Sequence, residues 1–297
     1  MLSRLLIQPQ TYRRSFLTVL KMSAYATMSA NAHANASAAI NGTTNAPQRT
    51  LTGLKRWSCL DKYLPSVESI KHIHIYDFDN TLFASPLPNK QIWSLPTVGS
   101  LANPDLFVNG GWWHNPSILA ATGEGVEVEE PRAWKGWWNE QIAELVELSM
   151  QQKDVVTVML TGRAEPQFAD LVCRMVKSRG LDFDMACLKP AVGPGGQIFA
   201  STMAFKQELL RDIVFTYREA EVIKVYEDRP KHTEGFRRFF NEFNRSLMSP
   251  NPPVPHRANI TAEVVQVPEN AKFLDPTTEI SCIQSMVNEH NLSLIHI

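Results

Sequence analysis

Hydrophobic and polar positions alternate from Ile70 to Phe78 (IKHIHIYDF) and then give way to the turn-forming run Asp79-Asn80-Thr81. An alternating run of this length predicts a buried strand ending in a polar loop. The pattern recurs three times. Val155 to Leu160 (VVTVML) stops at Thr161-Gly162-Arg163 and precedes a helix opened by Pro166 and running to about Arg179. Phe183 to Leu188 stops at Lys189-Pro190 and leads through a Gly/Pro-rich loop to a helix over about 202–217. Glu221 to Tyr226 (EVIKVY) stops at Glu227-Asp228-Arg229 before a basic helix reaching about Leu247. Strands alternating with helices of this length predict an α/β fold, a Rossmann-like parallel sheet covered by helices on both faces. Polar clusters just past the carboxyl ends of such strands are where ligands bind.

About 75 residues separate the first two strands, far more than one crossover needs. The spacing of Trp134, Trp137, Trp138, Ile142, Leu145 and Leu148 predicts the crossover helix over about Arg132 to Gln152. The preceding stretch, about 84–131, is then a small Trp-rich cap. With the helix it holds six of the chain's seven tryptophans, and it carries Glu124, Glu127, Glu129 and Glu130. After Leu247, a run rich in proline (Ser249 to Pro255) predicts a linker, and Ala262 to Val267 a further strand at a sheet edge. The expected organisation is a leader over 1–50, one domain over 51–248, and a linker with a C-terminal extension over 249–297. The last six residues, Leu292 to Ile297, resemble translated sequencing adapter, which implies a chain cut short; an ordinary apolar C-terminus is the alternative.

Composition adds exclusions. At 297 residues, 44% hydrophobic and 20% charged, the chain has the apolar mass of a large domain, and no run approaches the ~20 apolar residues of a membrane span. Residues 1–50 carry Arg4, Arg13, Arg14, Lys21 and Arg49 with no acid, leaving 24 basic against 30 acidic residues in the body. A mildly acidic body argues against coating long duplex DNA, though not against contacts with nucleic-acid ends. The acid-free, Arg- and Ser-bearing leader reads either as a mitochondrial transit peptide or as a leader without an address. Cys59, Cys173, Cys187 and Cys282 form no C-x-x-C or zinc spacing and read as reduced thiols of an intracellular protein.

The chemistry lies at the strand ends. Asp77 and Asp79 in DFDNT offer one carboxylate to attack phosphorus and a second to trade protons with the leaving oxygen and the attacking water. An Asp-rich turn that merely caps the next segment is the bland alternative. Thr161, Gly162 and Arg163 offer a hydroxyl and backbone N–H groups to phosphoryl oxygens, and Lys206 offers an ammonium. Glu227 and Asp228 are hard oxygen donors of the kind Mg²⁺ prefers.

In this order the four motifs resemble the haloacid dehalogenase (HAD) superfamily over roughly residues 70–248. The resemblance implies Asp77 as nucleophile and Asp79 as general acid/base. It further implies Mg²⁺ on Asp77, Asp228 and the backbone carbonyl of Asp79, with phosphate contacts from Thr81, Thr161, Gly162 and Lys206. Glu227 stands where an aspartate is more usual and is either a direct or a water-mediated ligand. Retention of Asp79 favours phosphate-ester hydrolysis over carbon–halogen cleavage. DFDNTLF, Gly110-Gly111-Trp112-Trp113, Leu188-Lys189-Pro190, Phe205-Lys206 and Tyr226-Glu227-Asp228-Arg229 with His232 are similar to the fungal Swiss Army Knife RNA-repair type of this domain. That likeness implies a polynucleotide or RNA end as substrate, with other repair domains or proteins as partners.

Trp112 and Trp113 are candidates to stack on unpaired bases, or else to fill the cap core. Being adjacent, they point oppositely in an extended segment, so one can face the site. Arg163, Arg229, Lys231 and His232 either take a second phosphate of a polynucleotide end or pair with Glu227 and Glu234. A small phosphorylated metabolite, a phosphoprotein, or a non-catalytic binding role remain the competing readings. A closing lid would suit the small molecule and an open groove the polymer.

Overall fold

The computed structural model describes residues 49–253 and 257–295. The expected leader, with its targeting reading, lies outside them apart from residues 49 and 50. The sheet has five parallel strands in the order β3-β2-β1-β4-β5: β1 His72–Asp77, β2 Val155–Ala164, β3 Met185–Lys189, β4 Val222–Glu227 and β5 Thr261–Gln266. In β1 the side chains of Ile73 and Ile75 point to one face and Tyr76 to the other, as the period-two pattern requires. Ile75 sits between Val158 of β2 and Val225 of β4.

Two cores result. On the Ile75 face, β1, β2 and β4 pack against α1 (Leu51–Lys55), Phe205 and Leu209 of α7 (Thr202–Thr216), and Phe236 and Phe240 of α8 (Pro230–Leu247). On the Tyr76 face they pack against Ile142 and Val146 of α5 (Glu140–Met150) and Phe168 and Met175 of α6 (Glu165–Ser178). This three-layer arrangement is the predicted α/β class, and β5 takes the predicted edge position beside β4. Among the described residues, no helix is long and apolar enough to cross a membrane.

Two local expectations are corrected. The helix expected from Arg132 begins only at Glu140, capped by Asn139, whose side chain accepts from Ile142 N. Ala133 and Trp134 adopt left-handed backbone, and Gly136 has φ 87°, so the chain turns rather than winds through the tryptophans. Leu145 and Leu148 consequently lie on the exposed side of α5, while Ala143 and Val146 face the core. Thr161-Gly162-Arg163 is likewise not a strand-to-helix turn, because β2 runs on to Ala164 with a register shift after Leu160.

The insert holds α2 (Leu95–Ala102), α3 (Pro116–Ala120) and α4 (Val126–Glu129). Its ends meet in a neck, where Ala84 N donates to Trp137 O (2.7 Å), Asn139 N donates to Leu82 O (2.9 Å), and Phe83 pairs with Trp138. Residues after 267, expected as an extension, include a 20-residue helix, α9 (Pro276–Ile295). Ile283 and Met286 of α9 share a small core with Leu101, Trp112 and Ile118 of the insert. Glu279 of α9 is buried there and accepts from Asn89 N and Trp93 Nε1, both at 2.8 Å.

Glu279→Ala strands those two buried donors and should cost about 2–4 kcal/mol, seen as a lower urea midpoint. An unchanged midpoint would mean that these two hydrogen bonds contribute nothing to stability. A second expectation concerns buried His74, whose Nδ1 lies 2.7 Å from Ser149 Oγ. Burial, then the charges of Lys224 and His72, push its imidazole down to about 4. The unfolded chain therefore binds a proton near pH 6.5 that the folded chain refuses, so stability falls by roughly 3 kcal/mol as pH drops from about 6.5 to 4. His74→Leu should make that limb of the stability profile shallower, and a profile of unaltered slope would refute the assignment.

Candidate active site

Asp77 is the last residue of β1, and the chain turns sharply just beyond it. Leu82 N donates to Asp77 O, Phe83 N to Phe78 O and Asn80 N to Phe83 O. Asn80 has φ 57°, a left-handed conformation that asparagine tolerates better than most residues. The turn brings Asp79 back under β2. Glu227 and Asp228 arrive on the neighbouring tip of β4, and Lys206 arrives from the first turns of α7, whose N-cap Ser201 accepts from Ala204 N.

Lys206 is 2% exposed, and its Nζ donates to Asp77 Oδ1 (2.5 Å) and to Glu227 Oε2 (2.7 Å). Carboxylate oxygens of Asp77, Glu227 and Asp228 all lie within 4.8 Å of one another. This crowding is legible in the acidities. Burial pushes Asp77 well up, with Lys206 opposing and Glu227 and Asp79 reinforcing the rise. Burial and the charge of Glu227 push Asp228 up to about 7. Burial also works against ionisation of Glu227, but Lys206 and His232 outweigh it and hold that carboxyl at about 2. Three hard oxygen donors whose mutual repulsion a cation would relieve suit Mg²⁺. Among the described residues no hydrogen bond goes to the backbone carbonyl of Asp79, which leaves that oxygen free to join them as a donor.

The carboxylate of Asp79 has a separate environment. It accepts from Arg163 Nε (2.8 Å), from Thr161 Oγ1 (2.9 Å) and from Ser85 Oγ (2.6 Å), and Arg163 Nη2 lies 2.7 Å away. Burial opposes its charge, yet Arg163 and Ser85 hold it below the ordinary aspartate range. To act as an acid, Asp79 must give up this pairing with Arg163.

The expected site residues divide accordingly. Asp77, Asp79, Gly162, Arg163, Lys206 and Arg229 line a common cavity of about 510 Å³. Thr81 and Thr161 lie fully buried behind it and hold carboxylates instead: Thr81 Oγ1 donates to Asp228 Oδ1 (3.4 Å), as Thr161 does to Asp79. His232 faces inward, with Nδ1 3.2 Å from Glu227 Oε2, and Lys231 points to solvent. Trp112 is buried in the cap core, where its Nε1 donates to Pro86 O (2.8 Å), so it is no substrate contact. Its neighbour Trp113 lines the cavity. Gly162 is required there, since a Cβ would come within 2.4 Å of Thr202. Ser85, Lys189 and His114 were not anticipated as site residues. Lys189 does stand at a strand end and in the Leu188-Lys189-Pro190 motif, the signals that pointed to it.

Removing Lys206 leaves Asp77 and Glu227 buried without their cation. Lys206→Met should therefore lower stability by about 3–5 kcal/mol in chemical denaturation, and adding Glu227→Gln should recover part of the loss. Additive losses would show that the three groups are not energetically coupled.

The chain matches HAD domain family 1 in Swiss Army Knife RNA repair proteins over residues 85–292. The match begins just past the Asp77–Thr81 turn and takes in Thr161, Lys206, Glu227 and Asp228. The chain is 29% identical over 252 residues to the uncharacterized protein YMR265C of Saccharomyces cerevisiae, covering 80% of this chain and 50% of that protein. It thus spans about half the length of this curated relative. Among solved structures it is similar to the HAD domain of the effector protein Lem4 from Legionella pneumophila. There the TM-score is 0.36 at 9% identity, covering 75% of this chain and 96% of that one. An inactive mutant of the same domain gives 0.36 at 10% identity, covering 76% and 98%.

Proposed function

Because the chain belongs to the HAD domain family of Swiss Army Knife RNA repair proteins, we propose that it is a Mg²⁺-dependent phosphohydrolase that removes a terminal phosphate from RNA or other polynucleotide ends through an aspartyl-phosphate on Asp77. The observation that carries this reading is buried Lys206 bridging Asp77 and Glu227 in the wall of a cavity lined by further cations.

Asp77 attacks phosphorus through a carboxylate oxygen, and the bond from phosphorus to the substrate's ester oxygen breaks. The departing oxygen takes a proton from Asp79, which must first leave Arg163 and take that proton up from solvent. Asp79 then accepts a proton from water as the water attacks the acyl phosphate, releasing inorganic phosphate and restoring the Asp77 carboxylate. Lys206 offsets the charge of Asp77 and of the phosphoryl group held against it. Mg²⁺, when bound to Asp77, Asp228 and the carbonyl of Asp79 with Glu227 beside them, supplies charge neutralisation for the phosphoryl oxygens. Thr81 keeps Asp228 oriented, and His232 lies beside Glu227. Trp113 offers a base a surface to stack on, supporting a polymer substrate.

The full chain should release inorganic phosphate from a 3′-phosphorylated oligoribonucleotide in Mg²⁺ and cease to do so in EDTA. Asp77→Asn should lower the rate by at least about 10³-fold. Release that survives Asp77→Asn would sink the covalent mechanism. Turnover of a generic aryl phosphate but not of the oligonucleotide would keep the hydrolase and sink the RNA substrate.

A further inference from the structure

The cavity wall carries cations besides the lysine that faces the nucleophile. Lys206 already serves Asp77, yet Arg163, Lys189 and Arg229 line the same space. Arg163 is 5% exposed and commits Nε and Nη2 to Asp79, while its Nη1 is buried with no hydrogen-bond partner. A buried guanidinium N–H without an acceptor is costly, and proteins seldom keep one unless something else fills it. Lys189, at the end of β3, has no carboxylate within ion-pair distance among the described residues. His114 lines the same cavity as Arg163 and Lys189, whose charges, after burial, push its imidazole below the ordinary value. Trp113 completes the wall, with the Arg163 guanidinium carbon 5.7 Å from its ring centroid.

The strand order fixes where this wall lies. Asp77 is on β1, Arg163 on β2 and Lys189 on β3, so the backbone of Lys189 stands two strand spacings from that of Asp77, roughly 10 Å. Lys206 holds the nucleophile's side of the cavity, and Arg163 and Lys189 line it on the strands away from β4.

We propose that Arg163 Nη1 and Lys189, flanked by Trp113, form a subsite for the phosphate that neighbours the scissile one along a nucleic-acid strand. The substrate class is then a nucleotide end bearing at least two phosphates, its base against Trp113. The proposal rests on the reading of Asp77 as the group that attacks the terminal phosphate.

The test compares a nucleoside 3′,5′-bisphosphate with the matching 3′- and 5′-monophosphates, which differ from it by one phosphate, using the full chain, Lys189→Gln and Lys189→Arg. In the wild-type chain kcat/KM for the bisphosphate should exceed that for the better monophosphate by about tenfold. Lys189→Gln should collapse the ratio toward one and reduce the slope of log affinity against log salt for a 3′-phosphorylated oligoribonucleotide by about 0.7. Lys189→Arg should restore both. Turnover with no preference for the bisphosphate, or a preference that ignores Lys189→Gln, overturns the subsite and leaves the hydrolase intact. Absence of any turnover overturns the hydrolase instead, and tryptophan-fluorescence titration then decides the subsite. Tighter, Lys189-dependent binding of the bisphosphate sustains it, and equal affinities remove it.

Discussion

Four carboxylates packed at the tips of two adjacent strands cannot be buried without cations among them, and this charge balance organises the centre of the protein. Asp77, Asp79, Glu227 and Asp228 are all buried. Withdrawing even one such group from water costs several kcal/mol, and like charges within a few ångströms add to that. Two buried cations share the compensation, with Lys206 serving Asp77 and Glu227 and Arg163 serving Asp79. Lys206 can reach its place only if the first turns of α7 lie beneath the ends of β1 and β4. Phe205, Leu209 and Ile213 secure that position by filling the core on the same helix. The hydrophobic face of α7 thus determines where an ammonium sits, and the ammonium offsets the charge of the two carboxylates it touches.

How much of this was legible in the sequence depended on whether a neighbour in space was also signalled along the chain. β1, β2 and β4 each carry their chemistry at the carboxyl end of an alternating or apolar run, so their order and that of Asp77, Thr161 and Glu227-Asp228 could be read directly. The roles behind the cavity could not. A threonine after a strand looks the same whether it faces a phosphate or, as Thr161 does, the carboxylate of Asp79. The approach of Cys59 and Cys173 to 3.1 Å, across 114 residues, likewise has no trace in their spacing.

Helix patterns misled where apolar residues serve something other than a helix. The tryptophans of 134–138 recur at helical intervals, but two left-handed residues and Gly136 turn them into the neck of the cap. There Trp138 meets Phe83 edge-on at 5.0 Å, and Phe83 stacks on Phe78 at 5.3 Å. α9 was missed for the opposite reason. Its buried side is only Glu279, Ile283 and Met286, too sparse a stripe to stand out, and one of the three is an acid that a core pattern would exclude. Only the donors of Asn89 and Trp93, nearly two hundred residues upstream, make that acid a suitable core residue.

The sheet, the cap and the C-terminal helix meet at Ser85. It opens the insert, one residue beyond the neck bond from Ala84 N to Trp137 O, and its hydroxyl donates to Asp79 Oδ1. The following residues, Pro86 and Leu87, meet Lys272, just before the helix that packs on the cap. A short, hydrogen-bonded stretch of backbone thus joins the segment before α9 and the root of the cap to a carboxylate whose other partners, Arg163 and Thr161, belong to the sheet. Asp79 is held from two sides, by the rigid strand β2 and by the root of the cap. Its position relative to Asp77, two residues earlier on β1, depends on both being in place. The C-terminal helix is part of the geometry of the site although none of its residues lines the cavity.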